Sequence, residues 1–393
     1  MISPPFAIHE FGYSLWIWWV LGIFVLWHLF RNRNIGIPLP FAIYLAFCGL
    51  FTITAYRPEL AFFGINATYE NGFCQIALVV AASALSTNRQ HFRTLVRFLV
   101  VLVSLQALLQ YAFPYASFLT PYRVWQGRAY APFGSPIFLG AWLAVAGVWS
   151  LPGSSWPYWL LWGLALAATK TRGAMLAAAV GLLIANRNMV YRFLKANKAV
   201  MAVPFILIML WGAVRQDGAS RSDSGRMAVY RVCAKAIVER PWFGWGPENA
   251  FYAIQKHRDD RFNAIYTTTS QGHCHNQLLE AAMTGGVLFP LVVMLLAFWV
   301  FSHMTGDSGR GAFVAYAMAG MFNPISLSVK VLGAIIFSAN LRKSGSFPLR
   351  PIWLATLSLA GALYCLRCFQ TAKDLSLPVR ARLPAARAIG IID

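Results

Sequence analysis

Charge is what this sequence has least of. Only 12% of its 393 residues are charged, against 58% that are hydrophobic, whereas a soluble domain usually carries about 25% charged residues. That scarcity excludes an ordinary soluble domain. Cysteine is sparse too, with six in all. Cys48, Cys74, Cys365 and Cys368 fall in or beside apolar runs. Cys365 and Cys368 form a C-x-x-C, but a second pair to complete a zinc site is lacking. The long apolar runs lack the strict alternation of a membrane β-barrel strand. No repeat of fixed period is present.

What is present is a series of apolar runs of roughly 16 to 25 residues, the length that matches a bilayer core. Inside lipid every backbone N–H and C=O must find a partner within the chain, so such runs are helices. The expected fold is therefore all-α: a polytopic membrane helix bundle of about 12 transmembrane helices. Residues 1–393 are expected to form one integral membrane domain, with a long outward-facing loop at 215–276 and a basic C-terminal tail at 369–393. Spans are expected at Phe11–Phe30, Pro38–Tyr56, Gly72–Ser86, Leu95–Phe113, Pro136–Leu151, Trp156–Thr169, Arg172–Ala185 and Ala199–Val214. After the loop follow Gln277–Phe301, Gly311–Ser326, Leu327–Leu341 and Pro351–Leu366. The first run lacks a basic start and is long enough to stay in the membrane, so no cleavable signal is expected.

The net charge of +20 might point to nucleic acid, but many of the cations lie in short links between spans. The positive-inside rule puts such links in the cytoplasm. Arg31 and Arg33, then Arg89, Arg93 and Arg97, then Arg187, Arg192, Lys195 and Lys198 count consistently onto that side. Glu59, Glu70, the segment 114–135, Lys170, Arg172 and the long loop then face outward. Arg342, Lys343 and Arg350 return to the cytoplasm if Asn323-Pro324 marks a turn between two crossings. The tail with Lys373, Arg380, Arg382 and Arg387 lands outside. That placement requires either one fewer late crossing or a tail bound to anionic lipid.

Within the loop, Gly225–Arg240 suits an amphipathic helix, with Val229, Val232, Cys233, Ala236 and Ile237 on one side. A helix of this kind can lie in the membrane surface. Pro241 ends it, Trp242, Phe243 and Trp245 follow as interfacial anchors, and Gly244, Gly246 and Pro247 make a tight turn.

Three features on the outward face could do chemistry. Lys170-Thr171-Arg172-Gly173 opens a helix. A cation there is commonly an anchor, yet the free N–H groups of a helix start also attract phosphate, which Arg172 would help hold. Ser224-Gly225-Arg226 leads into the loop helix. Arg226 is either a solvated charge or a second arm of the same anion site, since Arg grips a phosphate oxygen pair with two N–H bonds. His273-Cys274-His275-Asn276 stands at the loop exit. Two His around a Cys invite a metal, but the spacing supplies no third ligand. Beside two arginines, a histidine instead suits a general base, because the cations push its pKa down and favour the neutral form. Asp259-Asp260, flanked by Arg258 and Arg261, is either a divalent-metal site or, more simply, a salt-bridged turn. Arg128 is a substrate contact or an interfacial anchor.

These segments together resemble the O-antigen ligase and polymerase family of bacterial envelope enzymes. Thr171-Arg172-Gly173-Ala174-Met175-Leu176-Ala177 is similar to that family's SRGA-x-LA helix start. Ser224-Gly225-Arg226, followed by Arg240-Pro241-Trp242-Phe243-Gly244-Trp245-Gly246-Pro247, resembles its SGR … P-x-x-G-x-G loop. His273-x-His275-Asn276 … Leu279 … Gly285-Gly286 resembles its H-x-H-N-x-x-L loop exit. Gly127-Arg128 through Gly140 is similar to its R-x-x-G-x-F-x-x-P link. The matches run in order from about Gly127 to Leu296. The chain departs from the pattern at Thr171, where Ser is common, at Tyr230, where Trp is common, and at Thr284, where an acid is common.

The resemblance implies a metal-independent, inverting glycosyltransferase of the bacterial inner membrane, with its site facing the periplasm and no cofactor. The donor would be a glycan on undecaprenyl pyrophosphate. The acceptor would be a hydroxyl of lipid A–core in a ligase, or a second lipid-linked glycan in a polymerase. It further implies His275 as the catalytic base and Arg172 and Arg226 as pyrophosphate ligands. Arg128, Lys170, His273 and Asn276 are further candidate substrate contacts. Two other classes compete with this expectation. A transporter of lipid-linked glycan should show repeated halves and mid-membrane charge, for which Lys330 is the clear candidate. A polyprenyl-monophosphate sugar transferase needs an early outer carboxylate, for which Glu59 and Glu70 are the candidates.

Overall fold

The computed structural model describes residues 35–58, 61, 89–113, 127–130, 132–188, 220–266, 272–323, 325–341 and 346–349. Along the chain run β1 (Ile35–Pro38), α1 (Leu39–Ile53), α2 (Arg89–Ala112), α3 (Pro136–Ser150), α4 (Trp156–Ala168), α5 (Arg172–Ala185), α6 (Ser220–Glu239) and α7 (Ala250–Lys256). They continue as α8 (Asp260–Ile265), α9 (Gln277–Gly285), α10 (Phe289–His303), α11 (Asp307–Phe322), α12 (Leu327–Asn340) and β2 (Ser346–Leu349). The architecture is helical as expected, with one addition: β1 and β2 pair antiparallel, Ile35 opposite Leu349 and Pro38 opposite Ser346. The spans expected at Phe11–Phe30, Gly72–Ser86, Ala199–Val214 and Pro351–Leu366 lie outside the described residues, as do Glu59, Glu70, Cys74, Cys365, Cys368 and the basic tail.

Among the described residues, one helix, Phe92–Ala112, is long and apolar enough to cross a bilayer by itself. Ile43–Ile53, Pro136–Ser150, Arg172–Ala185, Phe289–His303 and Ser328–Phe337 are apolar but shorter. The outer surface is nonetheless apolar where these helices face outward. Phe98 on α2 is 58% exposed, Trp156 on α4 73% and Phe298 on α10 71%. Large apolar side chains exposed in this way are accepted by lipid at no cost.

α3 sits at the centre and is apolar all round, as a helix covered on every side must be. Leu139, Leu143, Trp149 and the alanines between them are fully buried, against α2, α4, α5, α11 and α12. Pro136 opens α3 behind a Ser135 cap that accepts from Ile137 N at 3.3 Å, which suits a residue with no N–H to satisfy. The closest helix crossing is α5 on α11. A Cβ on Gly181 would fall 2.7 Å from the Gly311 carbonyl oxygen, and Ala177, Ala178 and Ala315 continue the seam. Small residues let two backbones approach where lipid offers no hydrophobic drive.

The two ends of this bundle differ. At one end Arg97 donates twice to Ser150 O, at 3.1 and 2.8 Å, and Arg93 to Pro152 O at 2.7 Å. At the same end Arg187 pairs with Asp307 at 3.1 Å. Three of the arginines read from sequence as cytoplasmic thus gather at the C-termini of α3 and α5, where cations complement the helix dipole. The starts of α3 and α5 and the end of α11 form the opposite end.

Two expectations need correction. The run Gln277–Phe301 is two helices: Gly286 (φ +80°) breaks it, and its N–H still closes α9 on Ala282 O. A side chain there would also clash with the backbone of Pro241 and Trp242. The apolar face of α6 does not lie on the membrane. Val229, Val232, Cys233, Ala236 and Ile237 pack under Trp245, Ala253, Ile254, Phe262, Cys274 and Met283 as a second protein core. Trp245, expected as an anchor, is 1% exposed, while Trp242 and Phe243 remain 65% and 50% exposed.

Widening the α5–α11 seam tests this packing. Gly181→Val should destabilise the detergent-solubilised protein by about 1–3 kcal/mol, the usual cost of overpacking. Thermal melting by intrinsic fluorescence reads it, and an unchanged midpoint would contradict the seam.

Candidate active site

The site is built where sequence-distant segments meet at the end of α11. α11 stops at Phe322, and Asn323 takes extended backbone (φ −153°) while its N–H still bonds Ala319 O at 3.2 Å. Asn323 is 5% exposed. Its Oδ1 accepts from Arg226 Nη2 at 3.4 Å. A Cβ on Gly173 would lie 3.1 Å from Phe322 Cβ and 3.4 Å from Asn323 Nδ2, so the α5 start packs closely on the end of α11. Two residues before Asn323, Met321 O accepts from Asn276 Nδ2 at 3.0 Å. The end of α11 thereby draws the start of α5, the start of α6 and the loop exit together. Arg172 is the first residue of α5 and is exposed.

Arg226 lies among four groups. Besides Asn323, its charge acts on Tyr230, Tyr266 and His275. The preceding Gly225 is needed for close approach, since a Cβ there would fall 2.6 Å from the Tyr266 hydroxyl. Burial raises the pKa of Tyr230 and Tyr266, and the Arg226 charge opposes it, so both phenols remain protonated donors at neutral pH.

His275 holds left-handed backbone (φ +54°), rare for a residue with a side chain. Such conformations cost about 1–3 kcal/mol and persist where surrounding bonds over-determine them. Burial first, then His273 and Arg226, push its pKa down to about 4. The ring is therefore neutral at physiological pH, with a lone pair available. Its neighbour Cys274 is fully buried in contact with Cys233 and Glu280, and burial raises its thiol pKa, which leaves it unreactive. Glu280 receives Cys274 N–H at 2.7 Å, and its other oxygen lies 3.8 Å from His273 Nδ1.

The remaining candidates divide. Asn276 caps α9, accepting from Leu278 N and Leu279 N at 3.0 Å each, so its amide is engaged in holding the loop exit. Arg128 donates to Thr169 O at 3.0 Å and Thr171 Oγ1 at 3.2 Å, which ties it to the turn before α5. Burial lowers its pKa. Lys170, also left-handed (φ +49°), is exposed, with its ammonium 5.5 Å over the Tyr111 ring. Asp259 caps α8 through Phe262 N and pairs with Arg231 and Lys235 rather than with the flanking Arg258 and Arg261. Those bonds hold its carboxyl well below the usual range. Among the described residues no three His, Cys, Asp or Glu side chains gather as a metal site would need.

The glycine-rich turn serves as a clamp on the site. Trp245 N–H and Gly246 N–H bond Met283 O at 2.7 Å and Thr284 O at 2.9 Å, and Val287 N–H bonds Pro241 O at 2.8 Å. This fixes α9, and with it His275, against α6.

Asn323 and Glu280 escaped the sequence reading. Asn323 carries no local motif, and only the fold brings it to Arg226. Glu280 had a visible signal, an acid in the first turn after an Asn cap. Asn276→Ala should cost about 1 kcal/mol or more of stability, the usual worth of a cap, whereas Asn276→Asp keeps the accepting oxygen and should recover much of it. Melting temperatures of the two variants check this; equal losses would mean the cap is unimportant.

A family model described as O-Antigen ligase matches residues 157–296. The match takes in Arg172, Arg226, His275 and Glu280, and leaves Arg128 and Asn323 outside. No curated protein matches the chain. Residues 157–296 are thus similar to the O-antigen ligase family.

Proposed function

We propose that the protein transfers a glycan from undecaprenyl pyrophosphate to an acceptor hydroxyl, with lipid A–core as the acceptor, at the periplasmic face of the bacterial inner membrane. The observation that carries this reading is the meeting of Arg226, His275 and the Arg172 end of α5 around Asn323. One neutral base stands within reach of the Arg226 charge, and the start of α5 carries a second cation, Arg172. That set suits a reaction in which a diphosphate departs as a hydroxyl attacks.

Arg172 and the free N–H groups at the α5 start hold one part of the diphosphate, and Arg226 holds the other. As the bond between the anomeric carbon and the phosphate oxygen breaks, negative charge grows on that oxygen and the two guanidinium groups stabilise it. The acceptor hydroxyl attacks from the opposite side, so the configuration inverts. His275 takes the hydroxyl proton. The products are the glycosylated acceptor and undecaprenyl pyrophosphate. Tyr230 and Tyr266 offer hydroxyl donors near Arg226, and Arg128, Lys170 and His273 are further candidate contacts.

A base with pKa about 4 is deprotonated but weak. The bound diphosphate neutralises Arg226 and so removes part of what depresses His275. Donor binding therefore strengthens the base that the reaction needs. A repeat-unit polymerase of the same family would use the same groups with a second lipid-linked glycan as acceptor. The glycan profile of a deletion strain separates the two. Free core with accumulated lipid-linked polymer indicates the ligase, and core bearing one repeat unit indicates the polymerase.

Two outcomes test the chemistry. His275→Ala should lower transfer about 10²-fold or more at normal membrane levels, the usual size of a general-base effect; near-normal transfer would remove His275 from the role. In a pH series kcat/KM should stay level as pH falls and drop only near the free-enzyme value of about 4. The acid limb of kcat should lie at higher pH, because the donor raises the pKa. Coincident limbs, or a kcat/KM limb near the ordinary histidine value, would contradict the coupling of Arg226 to His275.

A further inference from the structure

We propose that Glu280 is the positioning residue that sets the backbone of His275 and so aims the base. The inference rests on the role given to His275 above. Glu280 reaches both sides of that residue. Its side-chain Oε2 accepts from the N–H of Cys274, the residue before, at 2.7 Å. Its own backbone N–H donates to the carbonyl of Asn276, the residue after, at 2.8 Å. One residue thus clasps the chain on either side of the left-handed position at His275 (φ +54°).

The carboxylate is well suited to that task. Glu280 is 7% exposed, and a buried carboxylate is retained only where its bonds are made. It lies in the first turn of α9, where the helix dipole favours a negative group. Its second oxygen, 3.8 Å from His273 Nδ1, borders the other histidine of the motif. Releasing the Cys274 N–H would let residues 273–275 relax out of the strained conformation and swing the His275 ring away from the hydroxyl it serves. A displacement of about 1 Å at a reacting group costs on the order of 10²-fold in rate.

The full-length protein in detergent, supplied with lipid-linked glycan and lipid A–core extracted from the producing strain, tests this through release of undecaprenyl pyrophosphate. Glu280→Gln keeps an oxygen at the same reach and should retain most of kcat. Glu280→Asp keeps the charge but falls one methylene short of Cys274 N–H. It should lose about 10²-fold in kcat with the donor KM changed by less than about threefold, as misplacement of the base alone requires. Glu280→Ala should match Glu280→Asp. The inference is overturned if Glu280→Asp equals or exceeds Glu280→Gln, or if losses merely follow the fall in melting temperature across the three variants. His275→Ala run alongside separates the two claims. An inactive His275→Ala with a fully active Glu280→Asp sinks only the part given to Glu280, while an active His275→Ala sinks the base itself.

Discussion

The side-chain amide of Asn323 holds the site together. The Asn323 backbone N–H closes the end of α11, while its side-chain oxygen takes a hydrogen bond from Arg226 at 3.4 Å and its side-chain nitrogen faces Gly173 at the start of α5. Everything that delivers it there is packing: the Gly181–Gly311 contact brings α5 and α11 together, and the fully buried α3 supports both. Because those helices run in fixed directions, Arg97 and Arg187 gather at the C-terminal ends of α3 and α5, and Arg172 and Arg226 lie at the other end.

Electrostatics then links parts of the site that touch only at their edges. Arg226 and His273 both disfavour a proton on His275, and burial disfavours it more. The resting site is cationic on its guanidinium side and neutral at its base. An anionic donor is attracted by the first property and relieves the second. On the proposed mechanism Arg226 would bind the leaving group and also acts on the proton acceptor, so binding and chemistry would not be tuned independently.

Much of this was legible in the sequence, for definable reasons. Helix limits such as Arg172–Ala185 followed from apolar runs closed by polar links, and Arg226 and His275 stood out because charge is so rare in this chain. Errors arose where composition hides a third dimension. The run 277–301 looked continuous because Gly286 is apolar in composition, yet its left-handed conformation ends α9. The face of α6 looked fit for lipid because amphipathicity states only that something apolar covers it; the short helices α7 and α8, the Trp245 ring and the α9 helix do so instead. Asn323 was seen only as a turn residue, because a hydrogen bond across 97 positions leaves no local pattern. For Asn276, a candidate substrate contact, the sequence alone did not show that its oxygen serves two N–H groups of α9.

The account stands or falls on where the diphosphate sits. An experimental map of the protein with undecaprenyl pyrophosphate bound measures that directly. The account predicts diphosphate density between Arg172 and Arg226 beside Asn323, with the His275 ring facing the open side from which an acceptor would come. Density lodged elsewhere, or bound with Arg172 and Arg226 on separate surfaces, would contradict it.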